Sequence, residues 1–125
     1  HSADNFLIDQ AQDSAHHWLK RAVDPVPKPN RSLSDGQIIN FANETLKVIH
    51  TPGHTPGSVA LLSDKQDNDE TYLFTGDTLF ANGVGRTDFA YSNHQHLLKS
   101  LTKLKQLKEA GAYSLALPGH GSSFY

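Results

Sequence analysis

Cysteine and methionine are both absent from this chain of 125 residues. Without cysteine there is no disulfide, no thiolate nucleophile and no thiolate metal site. That composition suits a reducing compartment, so a cytoplasmic location is expected. Without methionine there is no initiator, and the chain is expected to be processed or to be a piece of something longer. Long apolar runs are missing too. No stretch approaches the roughly eighteen apolar residues of a membrane-spanning helix, and the N-terminus shows no signal-peptide pattern. There is no basic surplus, since eleven Lys and Arg face thirteen Asp and Glu for a net charge of -2. That balance argues against nucleic-acid binding as the main task. Histidine is the residue in unusual supply, with eight against a single tryptophan.

The length allows one domain with a modest core. Residues 1–22 are polar with scattered apolar side chains, and Ser14 is expected to cap a short helix through His17, Trp18 and Leu19. Alternating prolines at 25, 27 and 29 stop it, so residues 24–34 read as a surface connection. Residues 37–41 and 45–50 form two β-prone runs around a polar turn, the pattern of a hairpin. Residues 58–62 and 71–75 read as strands separated by an acidic turn at 64–70. Residues 82–86 form a glycine-rich loop, and 113–117 a last buried strand. Between them, residues 92–110 are the clearest helix. Leu97, Leu98, Leu101, Leu104 and Leu107 recur at helical spacing, Ser92 with Gln95 fits a capping box, and Gly111 sits where a left-handed terminator belongs.

Three segments share one arrangement: a strand ends, Gly or Pro makes a tight turn, and a metal-competent side chain sits in it. They are Thr51-Pro-Gly-His-Thr-Pro-Gly-Ser58, Thr75-Gly-Asp-Thr78 and Leu117-Pro-Gly-His-Gly121. Imidazole with carboxylate suits zinc, iron or manganese, and the two oxygens of Asp77 allow it to bridge two cations. The other histidines are read as solvent-exposed: His16, His17, His50, His94 and His96, with His1 a possible cloning remnant.

These strings, together with Phe74-Thr-Gly-Asp-Thr-Leu-Phe80 and Gly85-Arg-Thr-Asp88, stand in an order that resembles the metallo-β-lactamase superfamily, in particular its glyoxalase II-like hydrolases. The resemblance is good over residues 34–122 and weak over 1–29. It implies an α/β fold in which two sheets pack face to face with helices outside. It implies that His54 is a ligand of a first metal, that Asp77 bridges two metals and takes part in catalysis, and that His120 is a ligand of the second. Arg86 stands where that branch carries a basic residue beside the glutathione part of a thioester. Asp88 and Thr55 orient the site or are structural only. The two divalent metals, zinc with iron or manganese as alternatives, would activate a water toward a carbonyl carbon.

One departure is large. The superfamily's first signature, His-x-His-x-Asp-His, occurs nowhere in the chain. The expectation is therefore a single partial domain, residues 1–125: the C-terminal half of the sandwich, one mostly antiparallel or mixed sheet with helices on its outer face. Its partners would be the missing N-terminal half, a small thioester substrate, or a second copy of itself, with no nucleic acid and no membrane. Alone it should bind metal weakly or not at all, and should be inactive. Leu46, Val48, Val59, Leu61 and Leu73 are the candidates for a bare sheet face or its opposite. The alternative is a non-catalytic binding or structural domain that kept the fold. A β-lactamase, a sulfur dioxygenase and a nuclease are further superfamily possibilities.

Overall fold

The computed structural model describes residues 1–41, 43–64 and 70–125. A 3-10 turn, Ser2–Asp4, leads into α1 (Asn5–Asp9) and α2 (Ala11–Leu19). The strands β1 (Ile38–Phe41), β2 (Glu44–His50), β3 (Val59–Ser63) and β4 (Tyr72–Gly76) follow, then a small hairpin of β5 (Leu79–Phe80) and β6 (Gly83–Val84). The chain closes with α3 (His94–Glu109) and β7 (Leu115–Pro118). Five strands form one mixed sheet in the order β1-β2-β3-β4-β7. The first four run antiparallel, and β7 joins β4 in parallel after the α3 crossover. This is the expected α/β architecture: one mixed sheet with helices.

Register divides the sheet into two chemically different faces, because paired residues point the same way. Ile49, Ala60, Leu73 and Ala116 share one face and form the core with Leu104 of α3 and Tyr113. Leu97 and Leu104 are fully buried, each contributing roughly 1.5–3 kcal/mol by leaving water. The other face carries the row Val48, Leu61, Phe74, Leu117. Val48 is buried, but Phe74 remains 39% exposed. Leu46 and Val59 lie on this second face with Val48 and Leu61, whereas Leu73 belongs to the helix-covered one.

Local details correct four expectations. Ser14 lies inside α2, which starts at Ala11, so it caps nothing. The cap of α3 is Asn93, whose side chain accepts from the His96 amide, and not Ser92. Ser92 is one residue too early and its hydroxyl is used elsewhere. Leu98 falls off the leucine stripe and is 45% exposed. Part of the glycine-rich loop pairs as β5–β6 around a two-residue turn, Ala81-Asn82. The end of α3 is as read: Gly111 has φ +69, and the amides of Gly111 and Ala112 bond back to Lys108 and Leu107. The residues 24–34 carry no regular structure and are mostly exposed. Most of the acidic turn lies outside the described residues.

Candidate metal centre

His54 sits in the loop 51–58 between β2 and β3, and α3 with the two residues before it grips that loop by its carbonyls. Ser100 Oγ donates to Pro52 O (2.8 Å), the Asn93 amide to Gly53 O (2.8 Å) and Ser92 Oγ to His54 O (2.7 Å). The approach is close enough that a Cβ on Gly53, whose φ is +149, would lie 2.4 Å from the Leu97 Cα. Only glycine fits there. On the loop's other side the His50 ring donates from Nε2 to Pro56 O (2.9 Å) and stacks on His1 at 4.4 Å. The His50 ring is not the free surface group expected, because the loop folds back over the strand end. His16, His17, His94 and His96 are exposed as read.

The imidazole of His54 is itself oriented. Its Nδ1 lies 2.9 Å from Arg86 O. A carbonyl only accepts, so Nδ1 donates and Nε2 is the nitrogen left for a ligand. Metal-ligating histidines are held in this way, by a hydrogen bond at the other nitrogen.

Asp77 is aimed by an irregularity of β4. The pairing with β7 slips between Phe74 and Gly76, and Gly76 takes φ +52. A bulge at a strand end redirects the side chain that follows. Thr75 is fully buried and ties the turn by donating to Leu79 O (2.7 Å). Two other buried hydroxyls, Thr51 and Thr78, lie 3.0 Å apart and join the His54 loop to the Asp77 turn.

His120 follows β7. The Gly119 amide donates to Gly76 O (2.9 Å), which sets its turn beside Asp77. His120 Nε2 then lies 3.7 Å from Asp77 Oδ1, with the Phe80 ring stacked on the imidazole at 4.3 Å. Gly85 fills the space between His54 and Asp77: a Cβ there would lie 2.2 Å from Asp77 O and 2.8 Å from His54 Cβ. Arg86 donates twice to Asp88, at 2.6 and 2.5 Å, and its guanidinium lies 4.5 Å from the Phe89 ring centre. Hydrogen bonding from Arg86 holds the Asp88 carboxyl at about 2, and Asp88 in turn raises Arg86.

The structure thus brings Asp77 and His120 into a pair and sets the root of the His54 side chain near the Asp77 backbone across Gly85. Among the described residues, no three His, Cys, Asp or Glu side chains converge tightly enough to hold a metal ion. Two imidazoles and one carboxylate are donors that fit part of a zinc, iron or manganese centre. Thr55 donates to Asp4 and contacts Ser58 Oγ (2.7 Å), so it acts on the loop. Sequence reading missed Asp4, Thr51, Thr78, Ser92 and Ser100. Only the polarity of Ser92 and Ser100 on the loop side of the helix hinted at any of them.

Residues 3–120 match the Metallo-beta-lactamase superfamily. The chain belongs to that superfamily. Among curated relatives, it is 30% identical over 120 residues to hydroxyacylglutathione hydrolase GloC of Haemophilus influenzae, covering 95% of this chain and 53% of that protein. It is 34% identical over 109 residues to acyl-coenzyme A thioesterase MBLAC2 of Gallus gallus, covering 86% of this chain and 37% of that protein. The crystal structure of TTHA1623 in a di-iron-bound form superposes with a TM-score of 0.75 at 32% identity, covering 99% of this chain and 57% of the other. The chain therefore spans only a third to about a half of the length of these superfamily relatives. No helix among the described residues is long and apolar enough to cross a membrane.

Proposed function

We propose that this chain carries the C-terminal half of the active site of a binuclear metal hydrolase of the glyoxalase II-like branch, acting in the cytoplasm on a thioester such as a hydroxyacylglutathione. The observation that carries the proposal is the His54 ring, held at Nδ1 by Arg86 O in a loop packed against the Asp77 turn, where Asp77 and His120 form a pair. His54 would hold the first metal, His120 the second, and Asp77 both. Two such metals, when bound, supply Lewis acidity toward a carbonyl oxygen and lower the pKa of water. Zinc is proposed, with iron supported by the di-iron form of TTHA1623.

The chain's own residues prepare the rest. Asp77 offers two oxygens from a turn set by the bulge, so both can be shared. Phe80 fixes the plane of the His120 ring. Arg86, over Phe89 and paired with Asp88, would offer its remaining N–H groups to an anionic substrate group. Three donors are fewer than two catalytic metals need, since one catalytic zinc alone usually has three protein ligands. The half-exposed row of Leu61, Phe74 and Leu117 supports a second proposal: the partner of this chain is the half-domain bearing the remaining ligands, or failing that a second copy.

The test is hydrolysis of a hydroxyacylglutathione and of an acyl-coenzyme A by this chain, with and without zinc, before and after mixing with an N-terminal half taken from a longer relative. Turnover is expected only in the zinc-loaded mixture, and lost in Asp77→Asn. Robust turnover by the chain alone would overturn the half-site reading. A mixture that associates but hydrolyses neither thioester would favour the binding-domain alternative.

A further inference from the structure

The carboxylate of Asp4 reaches the His54 loop from the far end of the chain. Its Oδ1 accepts from the Gly57 amide and its Oδ2 from the Thr55 hydroxyl, both at 2.6 Å. Thr55 has one hydroxyl proton and spends it on Asp4, so its contact with Ser58 Oγ (2.7 Å) must be donated by Ser58. The Thr55 amide closes this small network by donating to Ser58 Oγ (3.1 Å). The fit is steric as well as electrostatic. A Cβ on Gly57 would lie 2.6 Å from the Asp4 Cγ, so the glycine makes room for the acid. The segment is steadied on both sides, by His1 stacked on His50 and by Phe6 edge-on to Tyr91 at 5.5 Å.

We propose that Asp4 is a positioning residue for His54. The loop has two sides. The carbonyls of Pro52, Gly53 and His54 are taken by α3 and the two residues before it; in the part after His54, His50 takes the Pro56 carbonyl and Asp4 holds the Thr55 hydroxyl and the Gly57 amide. With both sides fixed, the His54 ring stays within reach of Arg86 O and its Nε2 points one way. Without Asp4, the buried Gly57 amide and the Thr55 hydroxyl lose a charge-assisted partner, and the loop can shift until they find another. The role is geometric and does not need a negative charge. Asn offers a carbonyl oxygen to Gly57 and an amide to the Thr55 oxygen, so it can reproduce both contacts. The inference concerns His54 as a metal ligand and to that extent rests on the proposed function.

Nitrogen-15 NMR of the metal-free 125-residue chain tests the positioning itself. In the wild type His54 should be in the Nδ1–H tautomer, with a slowly exchanging Gly57 amide. Asp4→Ala should mix the tautomers and speed Gly57 exchange by about tenfold or more, whereas Asp4→Asn should stay within about threefold of wild type. Gly57→Ala, which crowds the carboxylate out while leaving it in the chain, should move the His54 signals as Asp4→Ala does; it serves as the test if Asp4→Ala fails to fold. Retention of the wild-type tautomer and exchange rate in these variants overturns the proposal. Titration with zinc ion alone is the second arm. Loss of about tenfold or more in the affinity read at the His54 ring is expected for Asp4→Ala. If zinc does not move the wild-type His54 signals while the exchange results hold, the chain alone holds no zinc at His54, as its few donors lead one to expect, and the positioning stands on the tautomer and exchange results. If zinc moves them equally in wild type and Asp4→Ala, the positioning fails and the metal reading stands.

Discussion

The loop that carries His54 and the turn that carries His120 follow strands of the same sheet, but they are built in opposite ways. The first is fastened at nearly every residue: three carbonyls to Ser92, Asn93 and Ser100, the Thr55 hydroxyl and Gly57 amide to Asp4, the Pro56 carbonyl to His50, and the imidazole to Arg86 O. Among the described residues the second has the Gly119 amide on Gly76 O, a ring stacked by Phe80 and an imidazole 3.7 Å from Asp77 Oδ1, and the His120 side chain is 72% exposed. A backbone group that finds its partner within the chain is held by the fold; one that faces outward is left to whatever binds there. The His54 arm is therefore preorganised by this chain alone. The His120 arm is held by fewer such contacts among the described residues and lies more open to solvent.

The same substitution made in both places should separate them most. Gly53→Ala places a Cβ 2.4 Å from the backbone of Leu97 at φ +149, which combines backbone strain with overpacking and should cost about 3 kcal/mol or more. Gly121→Ala faces open space at φ +82, and carries only the left-handed penalty of about 1 kcal/mol. Denaturant unfolding of the two variants measures the difference. Equal losses would mean that the His54 loop is no better packed than the His120 turn.

The contrast also marks what could be read from sequence. The three turns and their metal-competent side chains were legible, because Gly and Pro beside a histidine or aspartate at a strand end constrain the backbone locally. So was α3, whose leucine period and terminal Gly111 are local signals. The fastening was not. Asp4 lies 53 residues from Gly57 and Ser100 lies 48 from Pro52, and nothing in the intervening chain links them. The local pattern favours Ser92 as a helix cap, but its hydroxyl donates to the His54 carbonyl and Asn93 caps α3. The bulge at Thr75 and the left-handed Gly76 arise from pairing with β7, which comes some forty residues later. Periodicity placed Leu73 only on one face or the other, and register was needed to choose.

A second, smaller effect belongs to the hydroxyls that tie the two regions together. Thr51 and Thr78 are both fully buried and 3.0 Å apart. Thr51→Val or Thr78→Val keeps the shape but strands the partner hydroxyl, at a cost of about 1–3 kcal/mol. The double variant removes both polar groups and should recover part of that loss. Thermal unfolding of the four proteins gives the coupling. Additive losses would show that the two loops are held independently.

The smallest effect tests whether the His54 arm depends on its charged neighbour. Arg86 lends His54 its backbone carbonyl, while its side chain is committed to Asp88. Hydrogen bonding from that guanidinium lowers the Asp88 carboxyl from 3.8 to about 2. A carboxyl whose pKa is lower folded than unfolded adds stability above the unfolded value and loses it as pH falls toward the folded one. The contribution from Asp88 should therefore be complete above about pH 4 and fade between there and pH 2. The side chains are 63% and 64% exposed, so solvent screening keeps it small. Asp88→Asn should make the fall in stability over this window slightly shallower than in wild type. At neutral pH it should leave exchange of the Gly53 and His54 amides within about twofold of wild type, because the bond that orients His54 comes from the backbone of residue 86. If Asp88→Asn loosened those amides strongly at neutral pH, the His54 arm would depend on a surface ion pair, and its independence from the open side of the site would be lost.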